Sequence, residues 1–395
     1  MLKPSGPWPT RPRRLTDTRV GQPATGPVPE TGPVPGVGPV SGTGPVPGAG
    51  PAAAHAAVPE LRPARPRARL LAVVLAAALA AAMLWALTVG PAGLGPREAW
   101  LALVSPGNSA LSPIQEAIIR ELRLPRLLTA AAVGAGLALC GAVIQALTRN
   151  PLADPYLLGL SSGASLGAVS VLLLGAAVAL PAAAFAGAML AMVLTLTLAG
   201  ALGTITPTRT ILAGLAVSSL AAAGASFVVF WTAQGDSYRE VLGWLMGSLA
   251  GAGWSSVGIA LPVLAVVGVP LLFCGRILDA FAFGDTAASA LGVPVPTVRW
   301  TLLGATALLT GALVSVSGSI GFVGLVLPHA VRLIAGSGHR ALLPLSALAG
   351  ALFLVLADTA ARTVFEPREI PVGIVTALIG APVFIVLLLR RRSIS

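Results

Sequence analysis

What the chain has little of decides most of its character. Among 395 residues there is a single lysine, Lys3, and charged residues make up only 10% of the total. A soluble domain carries about 25% charged residues, so this chain cannot wrap a core in a charged shell. With 55% hydrophobic residues, lipid is the solvent it fits. The lack of lysine also excludes a Walker A loop, which needs Gly-Lys-Ser/Thr after a strand. Any ATP hydrolysis must then fall to another subunit. The three histidines, His55, His329 and His339, are scattered, and both cysteines, Cys140 and Cys274, lie inside apolar runs. That leaves no metal-ligand cluster, no CxxC pair and no nucleophile–base pair, and argues against an enzyme, a cofactor or a metal site. The net charge of +11 comes from arginines dispersed between apolar runs. No basic helix or aromatic platform accompanies them, which argues against nucleic acid as a partner.

What is present divides in two. Residues 1–68 are rich in Pro and Gly, and Gly26-Pro27-Val28 recurs at Gly32, Gly38 and Gly44. Proline removes backbone donors and glycine raises the entropy cost of ordering, so this segment is expected to be a disordered cytoplasmic tail. Residues 69–395 hold ten apolar runs, near 70–89, 127–147, 156–175, 181–203, 210–231, 255–274, 299–316, 320–335, 342–361 and 371–389. A bilayer-spanning helix needs about 20 such residues. The expected fold is therefore an all-α integral membrane protein with ten transmembrane helices. Ser317-Gly318-Ser319 suggests a tight hairpin between the seventh and eighth. If the spans alternate from a cytoplasmic N-terminus, thirteen arginines flank the inside and seven the outside. The positive-inside rule then puts both termini in the cytoplasm. Gly134, Ala138 and Ala142 form a small-residue stripe suited to close helix packing. Asp358 is the only acid well inside a run, and Arg362, four residues on, is its local partner.

Longer motifs narrow the function. Leu122-Arg123-Leu124-Pro125-Arg126 is followed by Gln145, by Asn150-Pro151-Leu152-Ala153-Asp154-Pro155 and by Gly159-Leu160-Ser161-Ser162-Gly163-Ala164. Gly321 to His329, Asp358 to Arg362, Glu369 to Gly373 and Gly380 to Phe384 continue the pattern. Together they resemble the iron-siderophore and cobalamin permease (FecCD-type) family of ABC importers over residues 70–392. The resemblance implies a type II importer permease: a homodimer of ten-helix subunits in the inner membrane, two ABC ATPase subunits on the cytoplasmic side, and a substrate-binding protein outside. It implies an iron chelate, a ferric siderophore first, with cobalamin or haem as alternatives. An ion-coupled secondary transporter fits less well, because no mid-membrane ionisable pairs or matched broken helices stand out.

Three groups of residues acquire roles by the same resemblance. Gly284 to Gly292 reads as a short cytoplasmic helix, with Asp285 a good N-cap and Gly292 a good C′ residue. The resemblance makes it the helix that enters the ATPase cleft, carried by Gly284, Asp285, Ala288, Leu291 and Gly292. Arg123 and Arg126, near the expected start of the second span at Pro125, and Arg362 at the end of the ninth, receive acidic residues of the binding protein. Thr206, Pro207 and Thr208, between the fourth and fifth spans, narrow the inner end of the pathway.

Overall fold

The computed structural model describes residues 66–90, 95–105, 111–175, 178–201, 206–232, 235, 237–365 and 368–392. The Pro/Gly repeat lies outside these. Among the described residues there are helices and no strands. The helices are α1 (Pro66–Thr88), α2 (Pro96–Val104), α3 (Pro113–Thr148), α4 (Leu160–Leu174), α5 (Leu180–Ala201), α6 (Pro207–Thr232), α7 (Ser237–Leu245) and α8 (Trp254–Phe273). They continue as α9 (Gly275–Ala282), α10 (Asp285–Ala290), α11 (Val295–Ser317), α12 (Val323–Ala335), α13 (His339–Thr363) and α14 (Val372–Arg392). Each of the ten apolar runs corresponds to one of these. Seven (α1, α3, α5, α6, α8, α11 and α13) are long and apolar enough to cross a membrane, while α4, α12 and α14 are shorter apolar helices.

The bundle is organised around α3. The core window of α3 is 89% buried, against 17% for α1. It packs on α13, α11, α12 and α8, while α4, α5 and α6 form a second group that joins the first through α11. The small-residue stripe is what brings α3 and α13 together. A Cβ added at Gly350 would lie 2.2 Å from the Gly134 carbonyl oxygen and 2.6 Å from the Ala138 Cβ. Gly141 is crossed just as closely by the backbone of Gly324 at the start of α12. Outward faces keep large apolar side chains exposed, among them Leu190, Leu215, Phe230 and Val266, as lipid contact requires.

Three expectations are corrected. First, α3 starts at Pro113, well before Pro125. Ser112 caps it: its hydroxyl accepts from the Gln115 backbone N–H, and the Gln115 side chain accepts from the Ser112 N–H. This is a capping box. Proline inside a helix clashes with the carbonyl four residues back. Here a π-turn over Ile118–Arg123 widens the helix just before Pro125, and a second over Leu264–Gly268 does so before Pro270. Secondly, α1 begins at Pro66, inside the stretch assigned to the tail. Thirdly, Ser317-Gly318-Ser319 does not close a tight hairpin, because α12 packs on α3 and α13 rather than back along α11.

The shortness of α4 and α12 has a common cause. The segments before them, 149–159 and 318–322, are irregular apart from a short 3-10 helix at Pro155–Leu158, yet partly buried, with Ala153, Leu158 and Ile320 in the core. Buried backbone in a membrane must be hydrogen-bonded within the protein. The Tyr156 hydroxyl donates to the Ile320 carbonyl (3.0 Å), Thr195 to that of Leu158 (3.0 Å), and the Gln145 amide to those of Gly324 and Leu325 (3.2 and 3.1 Å). Ser161 and Ser319 join hydroxyl to hydroxyl.

Candidate functional site

Functional candidates gather at the two ends of the bundle. At one end the C-terminus of α1, the first turns of α3 and the last turns of α13 converge. Arg123, Arg126 and Arg362 line a single cavity of about 510 Å³, with Ala250, Ala252 and Glu369 on its walls. The three arginines thus share one site although 239 positions separate the first from the last (362 − 123).

Their surroundings differ. Arg126 is held bidentately by Asp358: Nε to Oδ2 at 2.9 Å and Nη2 to Oδ1 at 2.9 Å, while Nη1 reaches Glu369 at 2.8 Å. The sequence reading paired Asp358 with Arg362. The structure corrects this, because Arg362 donates instead to the Ala86 carbonyl at 2.7 Å. Arg123 donates to the neighbouring carbonyl of Leu87. Both therefore pin the end of α1, whose last carbonyls have no helical partner. Nor do Arg123 and Arg126 sit at the positive end of a helix dipole, since α3 begins at Pro113. Their placement comes from burial against α1 and α13.

At the other end, α8 gives way to α9 and α10, a pair of short helices before α11. The α10 segment ends as expected: Gly292 is left-handed (φ +80), its N–H bonds to Ser289, and that of Val293 bonds to Ala288. This is a Schellman closure. Its start differs from the expectation. Gly284 (φ +98) occupies the N-cap, a conformation that favours glycine, and Asp285 is the first helical residue. The Asp285 carboxylate meets Arg299 of α11 at 2.7 Å, tying α10 to the next membrane helix. Ala288 is completely buried, so it faces the bundle; Phe283 and Leu291 are 80% and 69% exposed.

A link that sequence reasoning missed lies beside this segment. Asp279 on α9 accepts from the His339 backbone N–H (2.9 Å) and pairs with its Nδ1 (2.7 Å), capping α13. Burial alone raises the pKa of a carboxyl. At Asp279 the hydrogen bonds from His339, with Arg340 nearby, outweigh it, and the carboxyl lies below its ordinary value. Sixty positions separate the partners, and no local spacing rule joins them.

Thr206, Pro207 and Thr208 form the start of α6. The Thr206 carbonyl accepts from the Thr210 N–H and hydroxyl (both 3.0 Å), and its own hydroxyl takes the Arg209 N–H at 3.4 Å. Pro207 is the first helical residue, where proline is favoured. It lines a small apolar cavity with Leu147, Leu157, Thr210 and Leu303. Sequence reasoning also left unassigned a cavity of about 450 Å³ between α4, α6 and α7, lined by Ser161, Ser162, Ser165, Ser226 and Tyr238. The hydroxyl run at 161–165 was its only signal.

Comparison with known proteins gives the family. The profile of the FecCD transport family, by that description, matches residues 78–390. The cobalamin import system permease protein BtuC of Halobacterium salinarum is 44% identical over 310 residues, covering 78% of this chain and 82% of the relative. The Fe(3+) dicitrate transport system permease protein FecD of Escherichia coli is 46% identical over 280 residues, covering 70% and 86%. A solved inward-facing structure of a metal-chelate type ABC transporter superposes with a TM-score of 0.72 at 32% identity, covering 82% of this chain and 99% of that one. The apolar spans and these likenesses agree: the chain belongs to the FecCD transport family, as a multi-pass inner-membrane permease subunit of an ABC importer.

Proposed function

We propose that the permease works as a homodimer of ten-span subunits that carries an iron chelate, a ferric siderophore, across the inner membrane, with both termini in the cytoplasm. The observation that supports this reading is that two unlike groups of residues, the arginines and the α10 segment, lie at opposite ends of one closely packed pair of helices, α3 and α13. The α10 end then faces the cytoplasm, where Gly284, Asp285, Ala288, Leu291 and Gly292 form the segment that enters an ABC ATPase. Gly284 and Gly292 shape its ends, Asp285 and Ala288 fix it to the bundle, and Leu291 and Phe283 supply exposed apolar contact. The arginine end faces outward, where Arg123, Arg126 and Arg362 receive acids of a substrate-binding protein. Asp358 and Glu369 offset the charge of Arg126, so Arg123 and Arg362 supply most of the positive potential. Although Arg123 and Arg126 are themselves buried, the positive potential they give this end would act mainly on encounter rate and salt dependence. Thr206, Pro207 and Thr208 narrow the inner end of the pathway.

Cobalamin is the second reading, because relatives such as the BtuC protein of Halobacterium salinarum are named for it; haem remains a third. The test is uptake into proteoliposomes holding the permease, its ATPase and its binding protein, with labelled ferric siderophore, cobalamin and haem compared. ATP-dependent uptake of the ferric siderophore alone is expected. Uptake of only cobalamin or haem would replace the substrate, and uptake unaffected by ATP would end the importer reading.

A further inference from the structure

The ion pair that ties α10 to the bundle is made by Arg299, in the second turn of α11. Its Nη2 donates to the Asp285 Oδ1 at 2.7 Å. Its Cζ stands 5.5 Å from the centre of the Phe281 ring of α9, within reach of a cation–π contact. Both short helices of the elbow therefore hold the same guanidinium. Asp285 is its one carboxylate partner among the described residues, and its Nε has no hydrogen-bond partner. A cation near a helix N-terminus gains nothing from the dipole, so these two contacts set its position. Arg299 and Phe281 are buried, while the Asp285 side chain is 42% exposed. One end of the link is thus inside the bundle and the other at its surface.

Arg299 also borders the start of α6. It lines a cavity of about 20 Å³ together with Pro207, Thr210 and Ile211 of α6, Leu147 of α3 and Leu303 of α11. That is room for about one water molecule. Only a gap of that size lies between the Arg299 side chain and the first turn of α6, so a displacement of one is felt by the other. One turn further along, α6 has no such space. An added Cβ at Gly214 would stand 1.8 Å from the Leu157 carbonyl oxygen. The first turn of α6 borders a void and the next is clamped against backbone. A push at the void tilts α6 about the Gly214–Leu157 contact, because close-packed interiors do not absorb displacement elsewhere.

We propose that Arg299 is the positioning residue that passes movement of the α10 segment to the start of α6. The inference rests on the ATPase and pathway roles proposed above for those two segments, and adds the link between them. Movement of α10 carries the Asp285 carboxylate. The guanidinium follows it, since no second carboxylate holds it back. Arg299 then narrows or widens the gap beside Pro207 and Thr210, and the inner end of the pathway changes with it.

The test uses the full-length permease with its ATPase and binding protein in proteoliposomes, and measures uptake and ATP hydrolysis together. The probe is labelled ferric siderophore, or cobalamin where that is what the wild type imports. Arg299→Met removes the charge but keeps a stem that packs on Phe281. It is expected to fold, because the half-exposed Asp285 stays solvated. We expect the complex to assemble and to hydrolyse ATP, while uptake per ATP falls about tenfold, the size of an ordinary coupling between sites. Arg299→Lys keeps the charge without the fork and should recover part of the loss. Asp285→Asn together with Arg299→Met should be no worse than either alone, since the two remove the same link. A maleimide reports on α6 at the exposed Thr208, through Thr208→Cys with Cys274→Ala; the remaining Cys140 is buried. Its labelling rate should change with ATP when Arg299 is present and stay constant in Arg299→Met. Unchanged uptake per ATP in Arg299→Met would overturn the proposal. So would loss of the ATPase from that variant, which would make Arg299 part of the docking surface, or an ATP-dependent labelling change that survives it. A wild type without ATP-dependent uptake would end the importer reading, and this proposal with it.

Discussion

Removing the Asp358 carboxylate tests whether the arginine end is built as described. Asp358 takes three of the four hydrogen bonds made by the Arg126 side chain, and the fourth goes to Glu369. The two acids are not equivalent. The Asp358 side chain is fully buried and that of Arg126 only 11% exposed, while Glu369 is 46% exposed. Solvent screens the Glu369 pair, which is then worth about 1 kcal/mol or less. Asp358→Ala leaves a buried guanidinium with that partner alone, and breaking such a pair from one side costs about 3–5 kcal/mol. Asp358→Asn keeps an acceptor and should fall between. Arg126→Met together with Asp358→Leu removes both charges and should regain most of the loss, since apolar replacement of a buried pair is often neutral. The assay is thermal unfolding of the detergent-purified permease, read as a double-mutant cycle. If Asp358→Ala is no less stable than Glu369→Ala, the buried pair adds nothing to the α3–α13 contact made by the small-residue stripe.

Three further outcomes follow from the geometry. Phe283→Ser with Leu291→Ser should leave the melting temperature nearly unchanged yet reduce co-purification of the ATPase; Ala288→Trp, by contrast, should lower stability by about 1–3 kcal/mol through overpacking, because Ala288 is buried. Gly350→Ala puts a Cβ 2.2 Å from the Gly134 carbonyl and should sharply reduce the yield of folded protein, whereas Gly243→Ala, with nothing within 4 Å, should be harmless; size-exclusion profiles of the two compare them directly. Reporter fusions at Arg149, Arg209, Asp285 and Arg340 should read cytoplasmic and those at Arg123 and Tyr238 external; a cytoplasmic Tyr238 would break the ten-span alternation.

The apolar runs were legible because lipid demands them residue by residue. Helix ends were not, and α3 shows why. Residues 113–126 contain Glu116, Arg120, Glu121, Arg123 and Arg126, and so fall outside the apolar run. The structure makes them helical by pairing Arg120 with Glu116 one turn away and placing Arg126 beside Asp358. The Ser112–Gln115 capping box was the available signal for the true start. For Asp358 the i, i+4 rule pointed to Arg362, a sound local argument that a distant partner overrode. His339 and Asp279 illustrate the same limit. A polar residue buried in the bundle chooses among everything the fold brings near it, and one sequence shows only its neighbours in the chain. The α10 segment, in contrast, closes through local hydrogen bonds, and its Gly292 terminus was readable.

The Arg126–Asp358 pair also sets an order of events during synthesis. The two residues are 232 positions apart, so at about 5–20 residues per second the ribosome needs roughly 10–50 s to supply the second after the first. Throughout that interval α3 carries an arginine with no counter-ion and a glycine face with no neighbour. The close packing of α3 on α13 therefore cannot form until the ninth span has been made. Chains that stop before Asp358 would keep Arg126 without its buried partner and the Gly134 face without its neighbour, so truncation there removes both contacts at once.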